Sequence, residues 1–240
     1  MKACECNCKE TKNAGERAPT KAPVEAQLRE DTVGAFATPG TEAPDLPRVL
    51  LIGDSISIGY TEGVRCGLQG VADVSRPPVN CQHSAYGLGQ MHTWLGTGRW
   101  RVIHFNFGIW DTHLLDGNGN IVTESASPLA SGIRIRHTPE QYRANLEEVV
   151  RMLQKTGAAL IWASSTPIMS RTGARFEAIP TLNRVAAEVM RAHRVAVDDL
   201  YTFVLPHVRE WQDPDQCHFR AIGNQALARQ VSACVRRALA

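Results

Sequence analysis

Lysine is scarce beyond the start of this sequence, aromatics are few, and no long apolar run occurs; each shortage excludes something. Lys2, Lys9, Lys12 and Lys21 fall in the first 21 residues, and from Arg48 onward Lys155 stands alone among 19 arginines. With 26 basic against 24 acidic residues the net charge is only +2, so bulk electrostatics gives no hold on a nucleic acid or a membrane surface. The longest uncharged stretch, 77–98, is rich in Gly, His, Asn and Gln, so no segment qualifies as a membrane span. Residues 1–20 hold no apolar core of seven or more, so no signal peptide is visible. Cys4, Cys6 and Cys8 alternate, but no His or further Cys lies near enough to complete a zinc set, so no metal and no cofactor is expected.

What is present is a globular balance of 43% apolar and 21% charged residues in 240, enough for one well-buried domain. The first residues differ from the rest. Val24, Leu28, Val33, Phe36 and Leu46 are their few large apolar side chains, too few to offset the entropy of ordering the chain. Residues 1–46 therefore read as a flexible arm or linker, its cysteines as an oxidisable tail, and 47–240 as the folded domain.

Five short β-type runs recur: Val49 to Ile52, Val71 to Ser75, Val102 to Phe107, Ala159 to Ala163 and Val195 to Asp199. All but the second are largely apolar rather than alternating, which suits strands covered on both faces. Helical patterns lie between them. One begins with a capping box, Thr138, Pro139 and Gln141, and runs to Gly157 with an apolar stripe of Tyr142, Leu146, Val149, Val150 and Leu153. A second carries Leu182, Val185, Ala186, Val189 and Met190, and a third Leu227, Val231, Cys234, Val235 and Ala238. The alternation predicts an α/β fold, a parallel sheet with helices on both faces, and ligands bind such sheets beyond the carboxyl ends of the strands. One stretch breaks the rhythm: between Asp111 and His137 lies Asp116-Gly117-Asn118-Gly119-Asn120, a turn signal that marks a binding loop, a lid or a tolerated surface insertion.

Two segments at that edge could carry chemistry. Gly53-Asp54-Ser55 follows the first strand, and a serine at a tight strand-to-helix turn exposes its hydroxyl beside the N–H groups of a helix start. It could equally be a simple helix cap. Asp215-Gln216-Cys217-His218 precedes the last helix; a carboxylate three residues before an imidazole reaches Nδ1 through a short turn and leaves Nε2 for a serine proton. His104, alternating with apolar neighbours, reads as a hydrogen-bonded core residue. Cys217 reads as a packing residue or a partner of Cys81 or Cys66, and Trp94, Trp100, Trp110 and Trp211 as core residues or sugar-stacking platforms.

On these blocks the sequence resembles the SGNH, or GDSL, hydrolases from Val49 to Ala238. The resemblance implies a three-layer α/β/α, flavodoxin-like fold with about five parallel strands, and an ester hydrolase with Ser55 as nucleophile, His218 as base and Asp215 orienting it. It also implies an oxyanion hole of the Ser55 N–H, a glycine N–H and an asparagine side chain. Gly87 in Tyr86-Gly87-Leu88-Gly89 fits the glycine best, with Gly89 its rival. The third block departs from Gly-x-Asn-Asp: Gly108-Ile109-Trp110-Asp111 offers an indole as donor or as wall, with Asn106 a weaker substitute. The stretches 80–84, 94–96, 103–108, 166–168 and 198–201 are similar to a bacterial carbohydrate-esterase branch. That branch implies removal of acetyl or other short acyl groups from a polysaccharide or smaller ester, and the family resemblance favours a secreted or periplasmic protein. Asp54, Asp111, His83 and His113, at the same edge of the sheet, are the candidate substrate contacts. Arylesterase, thioesterase and lysophospholipase activities belong to the same family, and a carbohydrate-binding relative without catalysis is the remaining alternative.

Overall fold

The computed structural model describes residues 45–122, 132–169 and 178–240. Nearly all of the arm expected over 1–46, with Cys4, Cys6 and Cys8, lies outside them, as does 123–131 of the segment between Asp111 and His137.

Strands β1 (Arg48–Ile52), β2 (Asp73–Ser75), β3 (Val102–Phe105), β6 (Ala159–Ala163) and β7 (Ala196–Asp198) form one parallel sheet in the order β2-β1-β3-β6-β7. This is the flavodoxin-like order. Successive residues of the central strands point to opposite faces and both faces are covered. Val49, Leu51, Val102 and Ile161 enter one apolar layer, and Leu50, Ile52, Ile103 and Trp162 the other. The first layer is closed by α1 (Ser55–Gly67) and α7 (Ala221–Leu239), and the second by α2 (Ser84–Leu95), α3 (Pro139–Gln154) and α4 (Ala178–Ala192). Each large side chain buried in these layers contributes about 1.5–3 kcal/mol. The short helices α5 (Leu200–Val204) and α6 (Val208–Trp211) lead from β7 toward α7.

The capping box is present at Thr138 and Gln141. The helix ends at Gln154 rather than Gly157, because Gly157 stands at φ 74° in a turn that follows it. The interruption holds a small antiparallel pair, β4 (Leu114–Leu115) with β5 (Arg134–Ile135), and Asp116 Oδ1 accepts the N–H groups of Asn118 and Asn120 in its turn.

A seam of small residues brings the two ends of the domain together. On α1, Gly59, Gly63 and Gly67 lie four apart; a Cβ on each would come within 2.6, 2.6 and 2.7 Å of Asn224, Ala228 and Ser232, themselves four apart on α7. Backbone therefore meets side chain directly, and the start of α1 is held beside the loop that enters α7.

Candidate active site

At the carboxyl edge of the sheet, β1 ends at Ile52 and the chain turns through Gly53 into α1. Asp54 is the N-cap: its Oδ1 accepts the Ile56 N–H at 3.0 Å. Ser55 follows as the first helical residue, where the backbone N–H has no place in the helix ladder and remains a donor. Gly53 is required by space, since a Cβ there would lie 2.9 Å from Ser57 Cβ and Oγ.

The loop before α7 folds upon itself. Gln212 and Phe219 form a bridge, Asp213 N–H donates to His218 O at 2.9 Å, and Gln216 takes φ 59° to complete the turn. Asp215 Oδ1 accepts the N–H groups of Cys217 and His218, both at 2.9 Å, while its Oδ2 accepts from His218 Nδ1. An ionised carboxylate only accepts, so a ring with a single proton carries it on Nδ1 and presents a lone pair at Nε2. That atom lies 2.8 Å from Ser55 Oγ, across 163 residues of sequence. Partial burial pulls the Asp215 carboxyl upward, but the His218 ring and the two N–H groups outweigh it and hold the group below the usual range. The His218 and Asp215 side chains are 41% and 48% exposed, so the arrangement opens to the surface.

The other expected site residues divide. Gly87 lies inside α2; its N–H donates to His83 O at 3.0 Å, and a Cβ on it would lie 2.2 Å from Phe107. It is a packing glycine, and its expected place in an oxyanion hole is corrected: the helix already uses its N–H. Gly89 also lies within α2. The Asn106 amide is committed to Ala163 O at 2.7 Å and Ser165 Oγ at 3.2 Å, so it is not a substitute donor. Trp110 is half-buried with its ring edge-on to His113 at 5.0 Å, and its Nε1 makes no hydrogen bond among the described residues.

The expected substrate contacts of the two aspartates are corrected as well. Asp111 is fully buried and accepts from Ser84 N–H, Ser84 Oγ and His137 Nδ1, so it ties the loop after β3 to the start of α2. Asp54 is 2% exposed and its cap role occupies Oδ1; burial raises its carboxyl, while the Ile56 N–H, His218 and Arg76 oppose that. His83 caps α2, its Nδ1 accepting the Tyr86 N–H at 3.2 Å. Burial first, then the Arg136 charge, lower His83 and His113 to about 4, so both rings are neutral at pH 7. The His83 ring lies 5.1 Å from that of His137, as the His113 ring lies 5.0 Å from that of Trp110.

Elsewhere His104 is a core residue as expected, at 3.1 Å from Asp198. Trp94, Trp100 and Trp211 belong to the apolar layers, which leaves Trp110 as the platform candidate. Among the described residues Cys81, Cys217 and Cys234 form no disulfide, so of the two alternatives for Cys217, packing or pairing, the structure has packing. The sequence reading missed His137, Ser84 and Gln82. Gln82 stands at φ 51°, a left-handed conformation that no side-chain type announces. Among the described residues no group of three or more His, Cys, Asp or Glu could hold a metal.

The sheet order and its flanking helices match the fold of solved SGNH/GDSL hydrolases, one of them from Slackia heliotrinireducens. No family model and no curated protein matches the chain. A lipase/acylhydrolase from Enterococcus faecalis is 22% identical, over 80% of this chain and 96% of that one, with a TM-score of 0.60. A GDSL-like lipase from Bacteroides thetaiotaomicron is 14% identical over 89% and 97%, TM-score 0.58, and an acetyl xylan esterase is 15% identical over 78% and 99%, also 0.58. At these identities the likeness establishes the fold.

Proposed function

We propose that the chain is a serine esterase acting on acetyl or other short acyl esters of a carbohydrate, carried by the domain 47–240. The observation that supports it most is the 2.8 Å approach of His218 Nε2 to Ser55 Oγ with Asp215 on the far side of the ring. In this reading Ser55 Oγ attacks the ester carbonyl carbon while its proton passes to His218 Nε2. The carbonyl oxygen takes the negative charge, facing the Ser55 N–H and the Trp110 indole N–H. Collapse breaks the bond to the alcohol oxygen, which leaves with the proton from His218. Water then repeats the sequence on the acyl-enzyme, releases the acid and restores Ser55.

An indole donating in place of the asparagine preserves a contact worth about 10²- to 10³-fold in rate. The carbohydrate assignment draws on the acetyl xylan esterase among the similar structures and on Trp110, the one tryptophan of the four outside the buried core. The test is acid release from acetylated xylan, acetylated pectin and p-nitrophenyl esters of increasing chain length, with Ser55→Ala as control. The reading expects preference for acetate on the polysaccharides and no turnover by the variant. Preference for long acyl chains or aryl esters moves the substrate elsewhere, and undiminished turnover by Ser55→Ala removes the nucleophile.

A further inference from the structure

Arg76, immediately after β2, is 9% exposed, yet no carboxylate among the described residues lies within ion-pair distance of it. A buried cation of this kind is expensive unless every N–H is used. A guanidinium has five, and five acceptors meet them. Nε donates to Pro77 O at 3.2 Å, Nη1 to Ser57 Oγ at 3.1 Å and Thr61 Oγ1 at 3.3 Å, and Nη2 to Gly53 O at 3.3 Å and Val79 O at 3.2 Å.

The acceptors are prepared for it. Ser57 Oγ sends its own proton to Asp54 O and Thr61 Oγ1 sends its proton to Ser57 O, so both hydroxyls turn lone pairs toward Arg76. They also belong to three separate segments: the Gly53 turn that presents Ser55, the first two turns of α1, and the loop that leads to His83 and α2. The Gly53 carbonyl also accepts the Cys81 N–H at 3.2 Å, which closes a ring from the nucleophile turn through the loop and back. A neutral core could fill this volume at lower desolvation cost. What a guanidinium adds is the fixed fork that holds these carbonyls at set positions.

We propose that Arg76 is a positioning residue: it clamps the Gly53–Ser55 turn to the loop over residues 77–81 and thereby holds Ser55 Oγ at attacking distance and angle for His218 and the ester. The proposal rests on the esterase reading. Small misplacement of a reacting group costs about 10²-fold in rate, and that is the loss expected in kcat for Arg76→Ala and Arg76→Lys, with KM nearly unchanged. Lysine retains the charge but not the fork, so its failure to restore rate separates geometry from charge.

Guanidinium chloride at low, non-denaturing concentration is expected to recover about tenfold of the Arg76→Ala loss, while leaving wild type and Arg76→Lys unaffected. Hydrogen exchange supplies a readout independent of turnover: the Cys81 amide is expected to exchange at least about tenfold faster in Arg76→Lys, whose charge keeps the fold the safer of the two. Full kcat in folded Arg76→Lys, or unchanged Cys81 exchange, overturns the clamp. An inert wild type removes the esterase reading instead, and Cys81 exchange then decides whether the clamp stands.

Discussion

Two Asp–His pairs, one on the sheet and one in a loop at its edge, differ in what the second ring nitrogen meets. His104 and Asp198 lie 3.1 Å apart at 1% and 0% side-chain exposure; Gln230 donates to the other Asp198 oxygen at 2.8 Å, and His104 Nδ1 is buried without a partner among the described residues. His218 and Asp215 lie at the sheet's edge, and the free nitrogen of that pair faces the Ser55 hydroxyl. In both pairs desolvation raises the carboxyl, and the histidine together with further hydrogen-bond donors outweighs it, so electrostatics alone does not tell them apart. A third pair, Asp111 with His137, spends its carboxylate on the start of α2. The carboxylate–imidazole unit thus serves here as structural cement and, in the proposed reaction, as chemistry. Access and a third member decide which.

The comparison breaks most sharply under exchange of alanines. His218→Ala is expected to lower ester turnover by at least about 10³-fold and to leave the melting temperature nearly unchanged. His104→Ala is expected to do the reverse, costing about 3–5 kcal/mol because Asp198 stays buried without its partner, while turnover per folded molecule is kept. Urea titrations alongside kinetics check both, and a His104 variant that folds normally but is inactive would dissolve the distinction. A smaller effect sharpens the correction at Gly87: Gly87→Ala must displace Phe107 and is expected to cost about 1–3 kcal/mol, with kcat of the folded enzyme retained, since no oxyanion contact is lost.

The smallest effect separates neutral histidines from catalytic ones. His83 and His113 take up protons near 4 in the folded chain but near 6.5 when unfolded. The unfolded state therefore binds more protons between these values; the neutral rings' contribution is whole above about pH 6.5, falls as pH drops toward 4, and falls no further below it. Melting temperature measured from pH 7 to 4 is expected to decline over that window, with a shallower slope in His113→Leu. Equal slopes would show that His113 titrates normally in the fold.

Much of this was legible in the residues. All five strands of the parallel sheet fall on the β-type runs, four of them largely apolar, and the Thr138 helix follows its cap, because burial on both faces and local hydrogen bonding leave direct marks in sequence. The Ser55, Asp215 and His218 positions were legible because each sits at a strand or helix end with its partner at short spacing or at the same edge. The glycines were not: Gly87 looks like a turn residue, but its reason is the Phe107 ring, 20 residues away and visible only in three dimensions. Asp111, Asn106 and Arg76 were opaque for the same cause. A buried polar side chain is defined by its acceptors and donors, and those come from distant segments.

The most direct test is covalent. Wild type and His218→Ala are treated with an organophosphate and the intact masses measured, followed by peptide mapping. One adduct is expected on wild type, located at Ser55, and little or none on His218→Ala. An unlabelled wild type, equal labelling of both proteins, or an adduct elsewhere would contradict the proposed reaction.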